Sequence, residues 1–267
     1  MNQIILGDCF EHMKNISSES VDLILCDLPY NTTRLNFDKS IIDLEKLWQE
    51  YIRLIKPKGA IVLFANQPFT SKLITSGLDL YKYSWMWKKS FPTGFLNANY
   101  RPMLVFEDIC VFSKSGAGAG SKKNNMIYNP QGLILVNKNK KNKAGTRGKQ
   151  IHDTINCGTN NILNSDKKYK QKFTGYPTNI LEFDRDVPQL HPCQKPVSLL
   201  EYLIRTYTNE GALVLDNTAG VFSTAIACIN TNRDYIMMEI DNNYYSLGEK
   251  RIQDHYRFLK LNKLKSL

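Results

Sequence analysis

Apolar runs of strand length alternate along the chain with longer amphipathic segments. Residues 21–26 and 60–65 are continuously apolar, which is typical of strands buried in a parallel sheet. Residues 41–55 lie between them and place apolar side chains at helical spacing. We expect residues 57–59, which read Pro-Lys-Gly, to end this helix. The order strand, helix, strand predicts a parallel sheet with helices on both faces.

The same alternation appears elsewhere in the chain and predicts an α/β fold of one large domain. Further strand-length runs occur at residues 3–6, 83–87 and 109–112. The carboxyl-terminal part predicts, in chain order, a helix at 196–208, a strand at 212–215, a helix at 223–230, a strand at 235–239 and a helix from 242 to about 260.

Between these regions the composition changes at residue 114. Residues 115–121 read SGAGAGS, which favours a flexible linker, and residues 137–149 are rich in Asn, Lys and Gly. Residues 113–177 hold 13 Lys or Arg against two acids, so this segment accounts for essentially the whole net charge of +10. Such a segment is either a solvated loop or an insert that contacts nucleic-acid phosphates. The candidate DNA contacts are Lys138, Lys140, Lys141, Lys143, Arg147 and Lys149.

Other classes of site and location are disfavoured by the sequence. The six Cys form no CxxC pair and the four His have no ligand spacing, so we expect neither a metal site nor a disulfide framework. No run of 18 apolar residues and no signal peptide occur, so a cytoplasmic protein without a membrane span is expected.

The first candidate for chemistry is Asp27-Leu28-Pro29-Tyr30, directly after the strongest predicted strand. The carboxyl ends of parallel strands carry ligands and catalytic groups. A carboxylate and a backbone carbonyl there can accept both N–H groups of an aromatic amine, which makes its nitrogen more nucleophilic. Pro29 fixes the backbone, and Tyr30 offers a flat face to a base. Alone, these four residues could equally form an ordinary turn.

Three further motifs lie in the carboxyl-terminal part. Residues 214–220 (VLDNTAG) predict a strand, a glycine turn and a helix start, where backbone can approach a cofactor closely. Glu239 ends the next predicted strand, 19 residues after Gly220, where an acid usually binds ribose hydroxyls. Residues 191–196 (HPCQKP) predict a rigid turn before a helix.

Taken together, these motifs resemble those of amino-group DNA methyltransferases. DLPY resembles their DPPY motif, HPCQKP their HPTQKP segment, VLDNTAG their cofactor loop and MMEIDNNYY their ribose-binding segment. Gly7-Asp8 is similar to the motif near the cofactor adenine. The order of catalytic motif, basic insert and cofactor loop resembles the beta class, a circular permutation of the common methyltransferase fold.

The resemblance implies a Rossmann-like α/β fold with a mostly parallel seven-stranded sheet whose final strand is antiparallel. It implies a catalytic half at residues 1–113, a basic target-recognition insert at 114–178 and a cofactor-binding half at 179–267. The reaction would move a methyl group from S-adenosylmethionine to adenine N6 of double-stranded DNA, in a bacterial or phage-infected cell. Beta-class relatives often form dimers, and a companion restriction endonuclease is a further expected partner.

The same resemblance assigns roles to individual residues. Asp27, Pro29 and Tyr30 would be catalytic. The cofactor would be bound by Asp8, Asp27, Gln194, Lys195, Asp216, Ala219, Gly220 and Glu239, with Gln194 and Lys195 closing the pocket.

One position departs from the family pattern and keeps an alternative open. The family loop usually reads Gly-x-Gly, whereas this chain has Gly220-Val221-Phe222. Either Phe222 lies against the methionine part of the cofactor and hinders its binding, or its ring points into the core and anchors the following helix. A DNA-binding homologue with impaired catalysis is therefore an alternative. Methylation of cytosine N4 is another, although those enzymes usually carry Ser in place of Asp27. Methylation of a protein glutamine or an RNA amino group is a third, but such enzymes tend to use Asn-Pro-Pro-Tyr.

Overall fold

The computed structural model describes residues 2–30, 42–141, 168–187, 189–191 and 193–265. The chain divides into two compact units, Met1–Asn129 with Thr178–Leu267, and Pro130–Pro177. Residues 114–129, which the sequence analysis placed in the insert, therefore group with the larger unit. Ser115 Oγ donates to the Pro57 carbonyl at 2.7 Å, and the Ile127 N–H donates to the Lys58 carbonyl at 3.0 Å. No helix among these described residues is long and apolar enough to span a membrane.

Strands and helices follow the predicted alternation. The strands are β1 (Gln3–Leu6), β2 (Val21–Asp27), β3 (Ile55–Ala65), β4 (Tyr81–Thr93), β5 (Leu104–Phe112), β6 (Ile134–Lys141), β7 (Lys168–Thr174), β8 (Ile180–Glu182), β9 (Leu213–Asp216) and β10 (Asp234–Glu239). The helices are α1 (Cys9–Met13), α2 (Leu44–Leu54), α3 (Phe69–Ser76), α4 (Val197–Tyr207), α5 (Ser223–Asn230) and α6 (Asn242–Lys265).

The larger unit contains an eight-stranded sheet in the order β1-β10-β9-β2-β3-β5-β4-β8. Strand β5 runs antiparallel to both of its neighbours, and every other pairing in the sheet is parallel. The predicted α/β fold with a mostly parallel sheet is confirmed. The sheet has eight strands rather than seven because the three-residue β8 adds to its edge. The antiparallel strand lies inside the sheet, whereas β10, the last strand of the chain, is parallel to its neighbours.

Apolar strands at the centre of the sheet are covered on both faces. Leu23 and Leu25 of β2 belong to one buried cluster, together with residues of α4 and α5. Ile24 and Cys26 belong to a second cluster, together with residues of α1 and α2. Successive side chains of a strand point to opposite faces, so a strand buried on both faces must be continuously apolar. This explains why residues 21–26 carry so strong a strand signal.

The helix predicted at 41–55 is shorter in the structure. Helix α2 begins after Asp43, whose carboxylate accepts the N–H groups of Glu45 and Lys46 at 3.1 and 3.2 Å. It ends at Leu54, and the chain enters β3 at once. Residues 57–59 therefore do not end the helix but lie within β3, where the pairing with β2 shifts register. Proline and glycine are tolerated at such irregularities of a strand.

In the smaller unit, strands β6 and β7 form an antiparallel pair that runs from Ile134 opposite Thr174 to Lys141 opposite Lys168. Lys138 and Lys140 are exposed on β6, and Lys170 and Lys172 are exposed on β7. A two-stranded ribbon with exposed lysines on both strands presents a strongly basic surface.

The loop between β9 and α5 depends on a buried aromatic ring. Phe222 precedes α5 with left-handed backbone angles, φ 57° and ψ 37°, and its side chain is fully buried. The ring meets Tyr245 of α6 edge-on, with centroids 5.6 Å apart. It also fills the space above Gly248, where an added Cβ would lie 2.5 Å from the Phe222 ring. Phe222 therefore anchors the loop to α6.

Replacing Phe222 with glycine should destabilise the protein. Loss of the buried ring costs about 3–5 kcal/mol, because the surrounding core can only partly collapse into the cavity. Relief of the left-handed backbone returns roughly 1–2 kcal/mol. Urea denaturation of Phe222→Gly against wild type measures the difference, and Phe222→Leu should fall between the two. A Phe222→Gly protein as stable as wild type would show that the ring does not anchor the loop.

Candidate active site

Four strand ends meet at one edge of the sheet. Asp27 ends β2, Asp216 ends β9, Glu239 ends β10, and Gly7-Asp8 follow β1. These strands are parallel, so their carboxyl ends lie side by side. They open onto a cavity of about 300 Å³, which is within the range of small-molecule sites.

The cavity brings together the residues that the sequence analysis assigned to catalysis and to the cofactor. Its walls include Asp8, Asp27, Pro29, Tyr30, Gln194, Lys195, Asp216, Ala219, Gly220 and Glu239. The sequence analysis missed several other wall residues: Phe10, Phe64, His191, Asn217, Thr218, Ile240 and Tyr244. Phe222 is not among the residues that line this cavity, because its ring is buried against α6. Of the two positions expected for Phe222, the structure shows the one in the core, and the one against the cofactor is wrong.

Glu239 joins the glycine turn to the end of β10. Its Oε2 accepts the N–H of Gly220 at 2.7 Å, and its Oε1 accepts the N–H of Asp241 at 2.8 Å. Burial raises the pKa of Glu239 above its ordinary value, although these N–H donors oppose the shift. Gly220 has a positive φ of 55°, a backbone state that favours glycine. The acid and the glycine turn therefore share one wall of the cavity.

Asp216 is held by the first residues of the loop and of α5. The hydroxyl of Thr224 donates to its Oδ2 at 2.6 Å, and the Thr218 N–H donates to its Oδ1 at 3.2 Å. Burial raises the pKa of Asp216 to about 7. The carboxyl group therefore organises the loop from within, and only a small part of it is accessible.

Gly7 and Asp8 line the cavity beside Glu239. The Gly7 N–H donates to the Glu239 carbonyl at 2.9 Å, and Asp8 caps α1 by accepting the Phe10 N–H at 2.7 Å. Gly7 has φ 145°, and an added Cβ would lie 2.5 Å from Nε2 of His12. Only glycine fits here without movement of His12. This explains why a glycine precedes Asp8 in the sequence.

Asn217 ties the cofactor loop to the core beneath the cavity. Its Oδ1 accepts the Tyr51 hydroxyl at 2.5 Å and the Cys26 thiol at 3.0 Å. Its Nδ2 donates to the Cys9 sulfur at 3.5 Å. These partners are distant in sequence, so no local pattern could have indicated this role for Asn217.

Asp27 is partly buried and already engaged by two side chains. Its Oδ1 accepts the Tyr30 hydroxyl, and its Oδ2 accepts the ammonium group of Lys195. Burial raises the pKa of Asp27, while Lys195 opposes that shift. The Asp27 carbonyl accepts the Thr218 hydroxyl at 3.0 Å, which joins the end of β2 to the loop after β9.

A second buried carboxylate, Glu107 of β5, lies beside Asp27. Its Oε1 is 3.0 Å from Lys195 Nζ and accepts the Tyr30 hydroxyl at 3.1 Å, and its Oε2 is 2.7 Å from Lys89 Nζ. Burial alone would raise the pKa of Glu107, but Lys195 and Lys89 together lower it to about 2. The sequence analysis did not single out Glu107 or Lys89, since each lies within a strand and belongs to none of its motifs.

Lys195 and Gln194 line the cavity, but each has its polar end directed to a protein partner. Burial alone would lower the pKa of Lys195, but Asp27 and Glu107 hold it above its ordinary value. The Lys195 ammonium also lies 4.9 Å from the centre of the Phe64 ring. Gln194 accepts the Leu190 N–H at 2.9 Å and donates to Asp186 at 3.2 Å. The positive charge of Lys195 is therefore paired with the Asp27 carboxylate.

Tyr30 combines a hydrogen bond with an aromatic contact. Its ring stacks on Phe69 with centroids 5.3 Å apart and an interplanar angle of 28°. Burial raises the pKa of Tyr30 well above its ordinary value, and the charges of Asp27 and Glu107 raise it further. The phenol therefore stays protonated and acts as a donor to the carboxylates.

The remaining predictions concern the DNA contacts of the basic segment and the binding of metal ions. Lys138 and Lys140 are exposed on β6; Lys141 ends that strand, and its side chain is not described. Lys143, Arg147 and Lys149 lie outside the described residues. Within the described ranges, no group of His, Cys, Asp and Glu side chains could hold a metal ion.

Comparison with known proteins gives this site a family. The profile of the family described as DNA methylase matches residues 21–250. "DNA adenine methyltransferase YhdJ" from Escherichia coli K12 is 29% identical over an alignment of 287 positions. The alignment covers 98% of this chain and 87% of that protein.

Two solved structures are similar in fold. The M1.HpyAVI–SAM complex matches with a TM-score of 0.60 at 22% identity, over 94% of this chain and 100% of that one. The cytosine-N4-specific PvuII DNA methyltransferase matches with a TM-score of 0.62 at 14% identity, over 95% of this chain and 90% of that one. The family profile spans most of the chain, including both groups of motifs that form the cavity, and the chain belongs to the DNA methylase family.

Proposed function

We propose that this protein transfers a methyl group from S-adenosylmethionine to N6 of an adenine that is flipped out of double-stranded DNA. The observation that carries the proposal is the position of Asp27. Its partly buried carboxylate ends β2 within the same cavity as Glu239 and Gly220. A group that can accept hydrogen bonds from an amine is thereby placed beside a site fit for a nucleoside.

The cavity has the chemistry that S-adenosylmethionine requires. Glu239 and Asp8 offer carboxylates to the hydroxyl and amino groups of the cofactor, and Phe10 and Ile240 offer apolar walls to its adenine. Each carboxylate oxygen has two lone pairs, so Glu239 can accept hydroxyl groups of the cofactor in addition to the backbone N–H groups that it already binds. When bound, the cofactor supplies an electrophilic methyl group.

Asp27 would act on the amino group of the target base. By accepting an N–H of that group, the carboxylate draws the nitrogen lone pair out of conjugation with the ring and orients it for attack. The nitrogen gains positive charge as its new C–N bond forms, and it must then lose one proton. Burial raises the pKa of Asp27, which makes its carboxylate a better acceptor for that proton than an exposed one.

Pro29 and Tyr30 would hold the base in place. Pro29 lines the cavity, and its fixed φ directs the carbonyl groups of the turn. The Tyr30 ring, which packs on Phe69, would stack on a flipped base. Together with Asp27 these residues would bind the base from its edge and its face.

The identity of the base is supported by the acid at position 27. An aspartate there favours adenine, whereas cytosine-N4 enzymes usually carry serine at the matching position. The E. coli relative is named as an adenine methyltransferase, which agrees with this assignment. Cytosine N4 is the second candidate, because the cytosine-N4-specific PvuII enzyme has a similar fold. Nucleoside mass spectrometry of host DNA from cells that express the chain decides between N6-methyladenine and N4-methylcytosine.

A catalytically impaired homologue is disfavoured by the position of Phe222. That alternative was motivated by a ring obstructing the cofactor, but the ring packs on α6 and does not line the cavity. Calorimetric titration with S-adenosylmethionine tests this directly.

The basic β6–β7 unit is the proposed DNA contact and target-recognition region. The bacterial relative supports a bacterial or phage source. A second copy of the chain and a companion endonuclease stay predictions.

Replacing Asp27 with alanine should abolish methyl transfer while DNA binding is retained. The carboxylate acts on the amino group, and general-base and orientation effects of this kind are worth about 10²–10⁴-fold in rate. Tritium transfer from labelled S-adenosylmethionine to DNA measures the rate, and a mobility-shift assay measures binding. Asp254→Ala, at a half-exposed position on α6, is the matched control and should keep wild-type turnover. Near-normal turnover by Asp27→Ala would refute the assignment.

Replacing Lys138 and Lys140 with glutamine should weaken binding to all DNA sequences alike. If each ammonium contacts a phosphate, each loss should lower the slope of log K against log salt by about 0.9. Fluorescence anisotropy at several salt concentrations measures the slope. Lys250→Gln, an exposed position on α6 in the other unit, is the control. A slope unchanged by the double substitution would identify this lysine-rich strand as a solvated surface.

A further inference from the structure

The two groups that occupy Asp27 share a second acceptor. Lys195 Nζ lies 3.0 Å from Glu107 Oε1, and the Tyr30 hydroxyl lies 3.1 Å from the same oxygen. One oxygen of Glu107 therefore borders both donors that bind Asp27 in the free site. Such a shared acceptor allows either donor to leave Asp27 without losing all of its hydrogen bonds.

Glu107 is built to remain an ionised acceptor. It is 3% exposed, and its other oxygen, Oε2, is held by Lys89 at 2.7 Å. Two ammonium groups face this one carboxylate and lower its pKa to about 2 against the effect of burial. Asp27, Glu107, Lys89 and Lys195 together carry two negative and two positive charges. The cluster is therefore neutral before any substrate arrives.

The proposed reaction needs Asp27 in a different state. Each oxygen of Asp27 already accepts a side-chain donor, one from Tyr30 and one from Lys195. An incoming amino group competes with those donors, and an ammonium group that stays on Asp27 would offset the charge needed to stabilise the methylated nitrogen. Each Asp27 oxygen keeps a second lone pair, so the base can reach Asp27, but the carboxylate acts fully on the amino group only when the Lys195 charge has moved away from it.

We propose that Glu107 is a positioning residue that receives Lys195 and Tyr30 when the target amino group reaches Asp27, with Lys89 fixing Glu107 for this purpose. The inference rests on the proposed amino-group methylation. In this exchange the hydrogen bonds to Asp27 break while those to Glu107 remain and shorten. No proton moves between the four charged groups, so their net charge is unchanged, and Asp27 becomes available to the base.

Two variants remove the acceptor in different ways. Glu107→Gln leaves Lys89 buried without its carboxylate partner, which can destabilise the fold. The double variant Glu107→Gln with Lys89→Gln removes one negative and one positive charge, so the net charge of the cluster stays at zero. We therefore expect this variant to fold. Glu182→Gln is the control, because Glu182 of β8 forms an exposed ion pair with Lys88 of β4 at 2.9 Å and does not line the cavity.

In the double variant we expect kcat to fall about 10- to 100-fold, the value of one lost hydrogen bond to a charged group. The Kd for S-adenosylmethionine, measured by calorimetry, should stay at the wild-type value. The kcat of the variant should rise as the pH approaches the ordinary lysine pKa of about 10.4, because an unprotonated Lys195 no longer holds Asp27. The wild-type kcat should be flat up to that pH, since both carboxylates keep Lys195 protonated and Glu107 receives it.

A measurement without catalysis gives an independent test. Limited acetylation with acetic anhydride, followed by mass spectrometry, reports the reactivity of Lys195 in the free protein. Reactivity should be low in wild type and in Glu182→Gln, and higher in the double variant because one of the two carboxylates that stabilise the ammonium is absent. Unchanged reactivity of Lys195 would overturn the proposal even for a protein that transfers no methyl group.

The outcomes separate this inference from the proposed function. A wild-type protein that methylates neither adenine nor cytosine refutes the proposed function and leaves the acetylation result to judge Glu107. A methylating wild type whose kcat and pH profile survive loss of Glu107 overturns the role of Glu107 alone. Loss of stability with unchanged kcat would make the cluster a structural ion pair and would equally overturn the proposal.

Discussion

The buried ion pair between Asp27 and Lys195 is the interaction on which the site depends. The two residues are 168 positions apart, one at the end of β2 and the other just before α4. Charges removed from water must be paired, and loss of one partner leaves the other at a high cost. The pair therefore joins the catalytic motif to the segment that precedes the cofactor strand. Through Thr218, whose hydroxyl binds the Asp27 carbonyl at 3.0 Å, the cofactor loop is fastened to the same point.

The direction of β5 determines what surrounds this pair. Parallel strands deliver their carboxyl ends to the reactive edge, as β2, β9 and β10 do. Because β5 runs the other way, its amino-terminal part reaches that edge, and Glu107 arrives from the beginning of a strand. Lys89, on the neighbouring β4, comes close enough to bind it at 2.7 Å. The reversed strand thus adds a carboxylate to the site, and its neighbour β4 adds the ammonium group that binds it.

Sequence patterns anticipated those features that are encoded locally. The apolar run of β2, the acid at its end, and the glycine turn followed by Glu239 could all be recognised within short windows, and all lie on the cavity. Glu107 could not, since the alternation of a strand does not reveal which distant ammonium groups will face a buried acid. Asn217 was missed for the same reason, because Tyr51 and Cys26 are its partners only in the fold. For Phe222 the sequence left two positions of the ring open, because the choice between them depends on packing against α6.

The contact between Phe222 and Gly248 has a consequence for how sequences of this family vary. The ring occupies the space that a side chain at position 248 would need, with only 2.5 Å left for a Cβ. Overfilling a packed core costs energy, as does leaving it empty. The two positions are therefore constrained jointly by a fixed volume. A lineage that regains glycine at 222 has room for a larger residue at 248, so substitutions at these sites should occur as correlated pairs across the family.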